Sequence, residues 1–248
     1  MVVTYQPDLV WLSLFVGIIG SLTALALTSG SHDADNDSWE SSFTLANGGL
    51  IMGTTIWSLH FIAMMAVQFP VLINYNIVET ILSICFAIFG TATGLYVVSK
   101  NRLGRFSIPG AAVAMGLAIG SMHYTGMGAI RGCGLSYDPL LVTASVAIAI
   151  GASAAALWFA FYKRTLWMTL AGGVVQGLAI GSMHYTAMAA TYFEPLAAPA
   201  KLSIPLFSQN LLANMIAIAM IVICAGNLAL LGFMNAQQRR LQLDRDVI

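Results

Sequence analysis

The chain has 248 residues, of which 58% are hydrophobic and only 8% charged, with ten basic residues balanced by ten acidic ones. A water-soluble domain normally carries about 25% charged residues, so this composition points to lipid as the solvent and excludes an ordinary soluble globular domain. The balanced charge also offers no basic surface for nucleic acid and no broad electrostatic steering of a charged substrate.

A helix that crosses a bilayer needs about 20 mainly apolar residues. Seven stretches of that kind occur, at 8–28, 46–69, 76–99, 108–130, 139–161, 167–190 and 206–234. The first lacks the basic lead-in and small-residue cleavage site of a signal peptide, so it reads as a retained helix. The second contains GTTIWSLHFIAMM (53–65), the fourth GLAIGSMHYT (116–125), and the sixth GLAIGSMHYT again (177–186). After the seventh, NAQQRRLQLDRDVI (235–248) turns polar without a breaker, as a helix leaving the membrane would. Residues 1–234 are therefore expected to form the membrane domain and 235–248 a cytoplasmic helical linker. Cys85, Cys133 and Cys224 are odd in number and far apart, and read as apolar packing residues rather than a disulfide or metal framework.

Orientation follows from the basic residues, because short cytoplasmic loops retain Lys and Arg. Lys100, Arg102, Arg105, Lys163, Arg164, Arg239, Arg240 and Arg245 share one side, against Arg131 and Lys201 on the other. This places the amino terminus outside and the carboxyl terminus in the cytoplasm. The acidic loop with His32, Asp33, Asp35, Asp37 and Glu40 falls inside, which the rule allows because it counts basic residues alone.

Ten identical residues at an offset of 61 mark an internal duplication, with the second helix as a weaker third copy. In all three copies a glycine (Gly53, Gly116, Gly177) stands seven residues before the histidine and a methionine (Met64, Met127, Met188) four after it. The period covers two helices, so the expected architecture is all-α: seven transmembrane helices, as three helix hairpins (two to three, four to five, six to seven) preceded by one extra helix. Ligand sites in such repeated membrane folds lie at the repeat interface. The glycine pairs Gly49/Gly53, Gly116/Gly120 and Gly177/Gly181 have the small-xxx-small spacing that lets helices approach closely in lipid, and speak for packing alone.

His60, His123 and His184 are a different matter, since a histidine within the bilayer is costly and usually faces a partner, a cavity or the bundle interior. All three lie in helices of the same direction and at the same depth, in the outer half of the membrane. Residues four apart share a helix face, which sets Met64, Met127 and Met188 beside their histidines. Imidazoles and soft thioethers together suit copper, above all Cu(I), with zinc or haem iron as lesser candidates. Met122 and Met183, directly before two of the histidines, either complete a second ligand set or pack. The open alternatives are a hydrogen-bonded network with Tyr124, Tyr185, Thr125, Thr186, Ser121 or Ser182, haem ligation, and a proton relay.

With these residues in view the chain resembles the MHYT family of bacterial membrane sensor domains, over about residues 8–234. The motif stands here as Met122-His123-Tyr124-Thr125 and Met183-His184-Tyr185-Thr186, and in the first copy Leu59, Phe61 and Ile62 replace its other members. The resemblance implies a signal-input domain of the bacterial cytoplasmic membrane, binding copper near the outer face and sensing a diatomic gas such as O2, CO or NO, or the metal itself. It further implies a cytoplasmic output domain in the same chain, acting on cyclic di-GMP or as a kinase, and a possible homodimer. No catalytic activity is expected of these residues. A transporter or channel for metal ions or protons is the alternative, and it needs a polar path to the inner side, where only Asn47, Thr54, Thr55, Thr169 and Gln176 stand.

Overall fold

The computed structural model describes residues 3–29, 39–100, 107–161, 165–195 and 206–246. Its seven helices are α1 (Pro7–Ser29), α2 (Trp39–Met65), α3 (Ile77–Lys100), α4 (Ser107–Gly128), α5 (Pro139–Phe161), α6 (Leu166–Ala189) and α7 (Gln209–Asp246), and they match the seven expected spans. Six are long and apolar enough to cross a membrane by length and hydropathy. The 22-residue α4 is diluted by five glycines and by His123, Tyr124 and Thr125, yet it packs between α3 and α5 like the others. Large apolar side chains such as Trp11, Phe15, Phe89 and Ile218 point outward, as lipid-facing residues do. The chain is a multi-pass membrane protein. The His32–Asp37 segment and Arg102, Arg105, Lys163, Arg164 and Lys201, on which the orientation reading leans, lie outside the described residues.

Helices α1 to α6 form a closed ring in chain order, each packed on the next and α6 on α1. Helix α7 stands outside the ring over the groove between α1 and α2, burying Leu212 and Ile216. The sequence repeat runs on into α7, but the packing place beside α6 belongs to α1. The glycines of the motif copies explain why. A Cβ on Gly53, Gly116 or Gly177 would come within 2.6 Å of the backbone of Ile88 (α3), Ile150 (α5) and Ile18 (α1) respectively. Each motif helix thus lays its glycine stripe directly on the backbone of one partner, and α1 presents the matching ridge of Leu14, Ile18 and Leu22 to Gly181, Gly177 and Gly173.

Backbone hydrogen bonds repeat with the same threefold relation. The carbonyls of Ala66, Ala129 and Ala190, each six residues after its histidine and fully buried, accept the N–H groups of Gln6, Asn76 and Asp138 at 2.8 Å each. Asn76 and Asp138 then cap α3 and α5 by accepting N–H groups of Val78 and of Leu140 and Leu141 on their side-chain oxygens.

Three small antiparallel sheets cover the end of the ring where α1, α3, α5 and α7 begin. Strand β1 (Thr4–Tyr5) pairs with β2 (Val67–Gln68), β3 (Asn74–Asn76) lies between β4 (Ile130–Arg131) and β7 (Leu206–Ser208), and β5 (Cys133–Tyr137) pairs with β6 (Thr191–Pro195). An ion pair from Arg131 to Glu79 at 2.7 Å ties β4 to the start of α3. This cap is dry. Burial pushes the Tyr137 phenol up to about 12, helped by the neighbouring Tyr124 and Cys133, and raises Tyr5 and the Cys133 thiol as well.

Candidate metal centre

Each histidine of the three copies sits five residues before the end of its helix, with Met65, Gly128 and Ala189 the last residues of α2, α4 and α6. That depth is about 7.5 Å below the cap. Because α2, α4 and α6 alternate with α1, α3 and α5 around the ring, their inward faces meet on its axis. His60, His123 and His184 come together there, each 1% exposed. Ring centroids are 4.7 Å apart for His60 and His123, 5.1 Å for His60 and His184, and 5.2 Å for His123 and His184. One nitrogen from each ring lies within 4.8 Å of the others.

The polar satisfaction of these rings is incomplete. Nδ1 of His60 faces Nδ1 of His184 at 3.2 Å, a hydrogen bond in which one ring donates and the other accepts. His60 Nε2, His184 Nε2 and both nitrogens of His123 have no hydrogen-bond partner. Buried polar groups are nearly always paired, so His123, with neither nitrogen partnered and the other two rings beside it, calls for a ligand. An ion held tetrahedrally at about 2.0–2.1 Å from histidine nitrogens sets two such donors roughly 3.3 Å apart, close to the Nδ1 pair seen here. The donor set fits a metal that favours imidazole over carboxylate, since no acidic group among the described residues joins the cluster.

Met64, Met127 and Met188, one turn toward the cap on the same helices, are all buried, and so are Met122 and Met183. Leu59 occupies in the first copy the place of Met122 and Met183, and it packs on Gly17 of α1 rather than toward the axis.

Two further features escaped the sequence reading. Four residues below the histidines, Ile56, Ile119 and Ile180 form a buried apolar layer at one repeat position. Three residues after His123, Gly126 lies against Nε2 of His60 and the tip of the Phe61 ring, where a Cβ would overlap the imidazole. The equivalent positions in the other copies are Ala63 and Ala187. Spacing alone would have found both had the three copies been stacked position by position.

Fold and site together define a multi-pass membrane protein in which a triplicated helix motif converges on buried histidines. The chain belongs to the MHYT family, whose description is a bacterial signalling protein N terminal repeat and which matches at residues 53–111, 116–173 and 177–243. It is 37% identical over 199 residues to the bifunctional diguanylate cyclase/cyclic di-GMP phosphodiesterase MucR of Pseudomonas aeruginosa, covering 78% of this chain and 29% of that protein. The signaling protein YkoW of Bacillus subtilis is 34% identical over 205 residues, covering 79% of this chain and 25% of its own length. The cyclic di-GMP phosphodiesterase NbdA of Pseudomonas aeruginosa is 34% identical over 196 residues, covering 75% and 24%. The chain thus spans between 24% and 29% of the length of these three relatives, which are longer signalling proteins. No solved structure matches it.

Proposed function

We propose that the chain is the sensory input domain of a cyclic di-GMP or kinase signalling protein, and that a copper ion is held on the ring axis by His60, His123 and His184 with support from Met64, Met127 and Met188. The observation that carries this reading is the convergence of three buried imidazoles, one nitrogen from each within 4.8 Å of the others, with both nitrogens of His123 unpartnered and no carboxylate among the described residues joining them. A soft ion in such surroundings supplies reversible affinity for a small gas such as O2, CO or NO. The histidines hold it, the strand cap and the isoleucine layer exclude water from either side, and the ring responds by shifting the packing of its helices. Such a response needs two packed states that differ in affinity for the ligand. The cap faces the exterior of the bacterial cytoplasmic membrane, and residues 235–248 lead to an output domain in the same chain.

Elemental analysis of the purified, copper-reconstituted protein beside a His123→Ala, His184→Ala variant tests the site. Wild type should retain copper and the variant should lose it. Equal, near-zero copper, zinc and iron in both would leave only the hydrogen-bond network.

Transport is less well supported. A path to the inner side would have to pass Ile56, Ile119 and Ile180, and Asn47 turns away from the axis to donate to Asn227 of α7 at 3.1 Å. That bond suits the input reading instead. Helix α2 carries His60 at one end and, about 20 Å along its length, the polar link to the helix that leaves the membrane. Asn227→Leu is expected to leave copper content unchanged while loosening α7, seen as faster amide exchange over residues 213–227. Unaltered exchange would remove Asn47 from the route.

A further inference from the structure

Three serines in the odd-numbered helices occupy one threefold-related position. Ser13, Ser83 and Ser145 each follow Gln6, Asn76 and Asp138 by seven residues, and all are fully buried. Every one of them donates its hydroxyl proton to the carbonyl three residues back, of Val10, Thr80 and Val142, at 2.7 Å. With that proton committed, the serine oxygen serves a neighbouring helix only as an acceptor. Tyr185 of α6 meets Ser13 at 3.2 Å, Tyr124 of α4 meets Ser145 at 2.8 Å, and the indole N–H of Trp57 in α2 donates to Ser83 at 3.0 Å.

The first copy shows how the same bond is made by other means. Phe61 stands where the motif has tyrosine, lacks a hydroxyl, and is turned fully inward against Tyr75. Trp57 occupies the place of Gly120 and Gly181 and reaches the serine from there. Two unrelated side chains at different motif positions therefore end on one serine position. Helices in lipid gain little from burying apolar faces against each other, so an interhelical hydrogen bond has unusual weight in setting their rotation.

We infer that Tyr124 and Tyr185 are positioning residues that donate a hydrogen bond to the adjacent helix and so aim the neighbouring histidine at the axis, and that Trp57 does the same for His60. Their polar atoms are engaged away from the triad, which leaves the phenol outside the ligand set. The part of this inference that concerns copper rests on the function proposed above.

The test uses the full chain in lipid nanodiscs, with Tyr124→Phe, Ser145→Ala and the double variant, and the parallel set Trp57→Phe, Ser83→Ala and their double. Copper affinity is read by competition with a chromophoric Cu(I) chelator, ligand identity by the X-ray absorption spectrum of the loaded protein, and stability by thermal unfolding. Each single change should weaken copper binding about tenfold, as loss of an orienting partner does, with the absorption spectrum unchanged and the double no worse than either single. A changed spectrum in Tyr124→Phe with Ser145→Ala silent would make the phenol a ligand and overturn the inference. Singles whose effects on unfolding simply add, or have no effect at all, would overturn it too. Should wild type bind no copper, the proposed function fails, and non-additive unfolding in the two cycles still decides for or against the clamps.

Discussion

Gly177→Val should prevent the ring from closing, and thermal unfolding in detergent should show a loss of several kilocalories per mole or no folded protein at all. The reason is geometric. A Cβ at Gly177 would stand 2.6 Å from the backbone nitrogen of Ile18, and backbone cannot rotate out of the way as a side chain can. Carbon atoms in contact normally stay about 3.5–4.0 Å apart, so α1 would have to retreat by roughly an ångström along its length. Ile18 sits between Leu14 and Leu22, which meet Gly181 and Gly173, so that retreat also opens the contacts above and below. Overpacking a tight core costs about 1–3 kcal/mol even where side chains can adjust. Gly151 in α5 provides the control, because nothing lies within 4 Å of the place a Cβ would take there. Gly151→Ala should be tolerated. Equal behaviour of the two variants would mean that α1 does not seal the ring.

Gly126→Ala is the sharper probe of the site, with copper content expected to fall at least tenfold while the helices stay folded. Alanine is acceptable at this helix position in itself, since Ala63 and Ala187 hold it in the other copies. Only here does the added methyl run into an imidazole, that of His60, and into Phe61 beside it. Helix α4 cannot yield without moving His123, which lies less than one turn away. The His60 ring must therefore leave its place, and the 3.2 Å approach of its Nδ1 to His184 is lost with it. Loss of orientation in a single ligand commonly lowers metal affinity by about 10- to 100-fold. Full copper loading in Gly126→Ala would show that His60 has more freedom than its packing suggests.

Much of this was legible from residues alone. Low charge and seven apolar stretches announced the spans, and the duplicated GLAIGSMHYT with its degenerate copy at 53–65 put three histidines at one depth. The glycine spacing identified the faces that meet. Helix α1 was harder, because it carries no motif; its kinship with α3 and α5 lies in Gln6, Ser13 and Ile18, which become recognisable only when superposed on Asn76, Ser83 and Ile88. The strands left no signal because they run for two to five residues, too short for an alternating pattern to stand out. Trp57 was hidden by the opposite problem: it breaks the repeat at the place where the other copies have Gly120 and Gly181. The isoleucine layer was invisible because isoleucine in an apolar helix attracts no notice until its two counterparts are seen facing it.

The junction of α1 with α6 carries a consequence for biogenesis. A translating ribosome delivers the first span long before the sixth, so the seam joining them can form only after most of the membrane domain has been inserted. Until then the glycine groove of α6 has no occupant except lipid or another chain, and contacts of such long sequence separation are the slow ones in folding. Assembly should accordingly end with a single late zippering event, and nascent chains interrupted after α5 should remain open, ready to accept a separately supplied sixth helix.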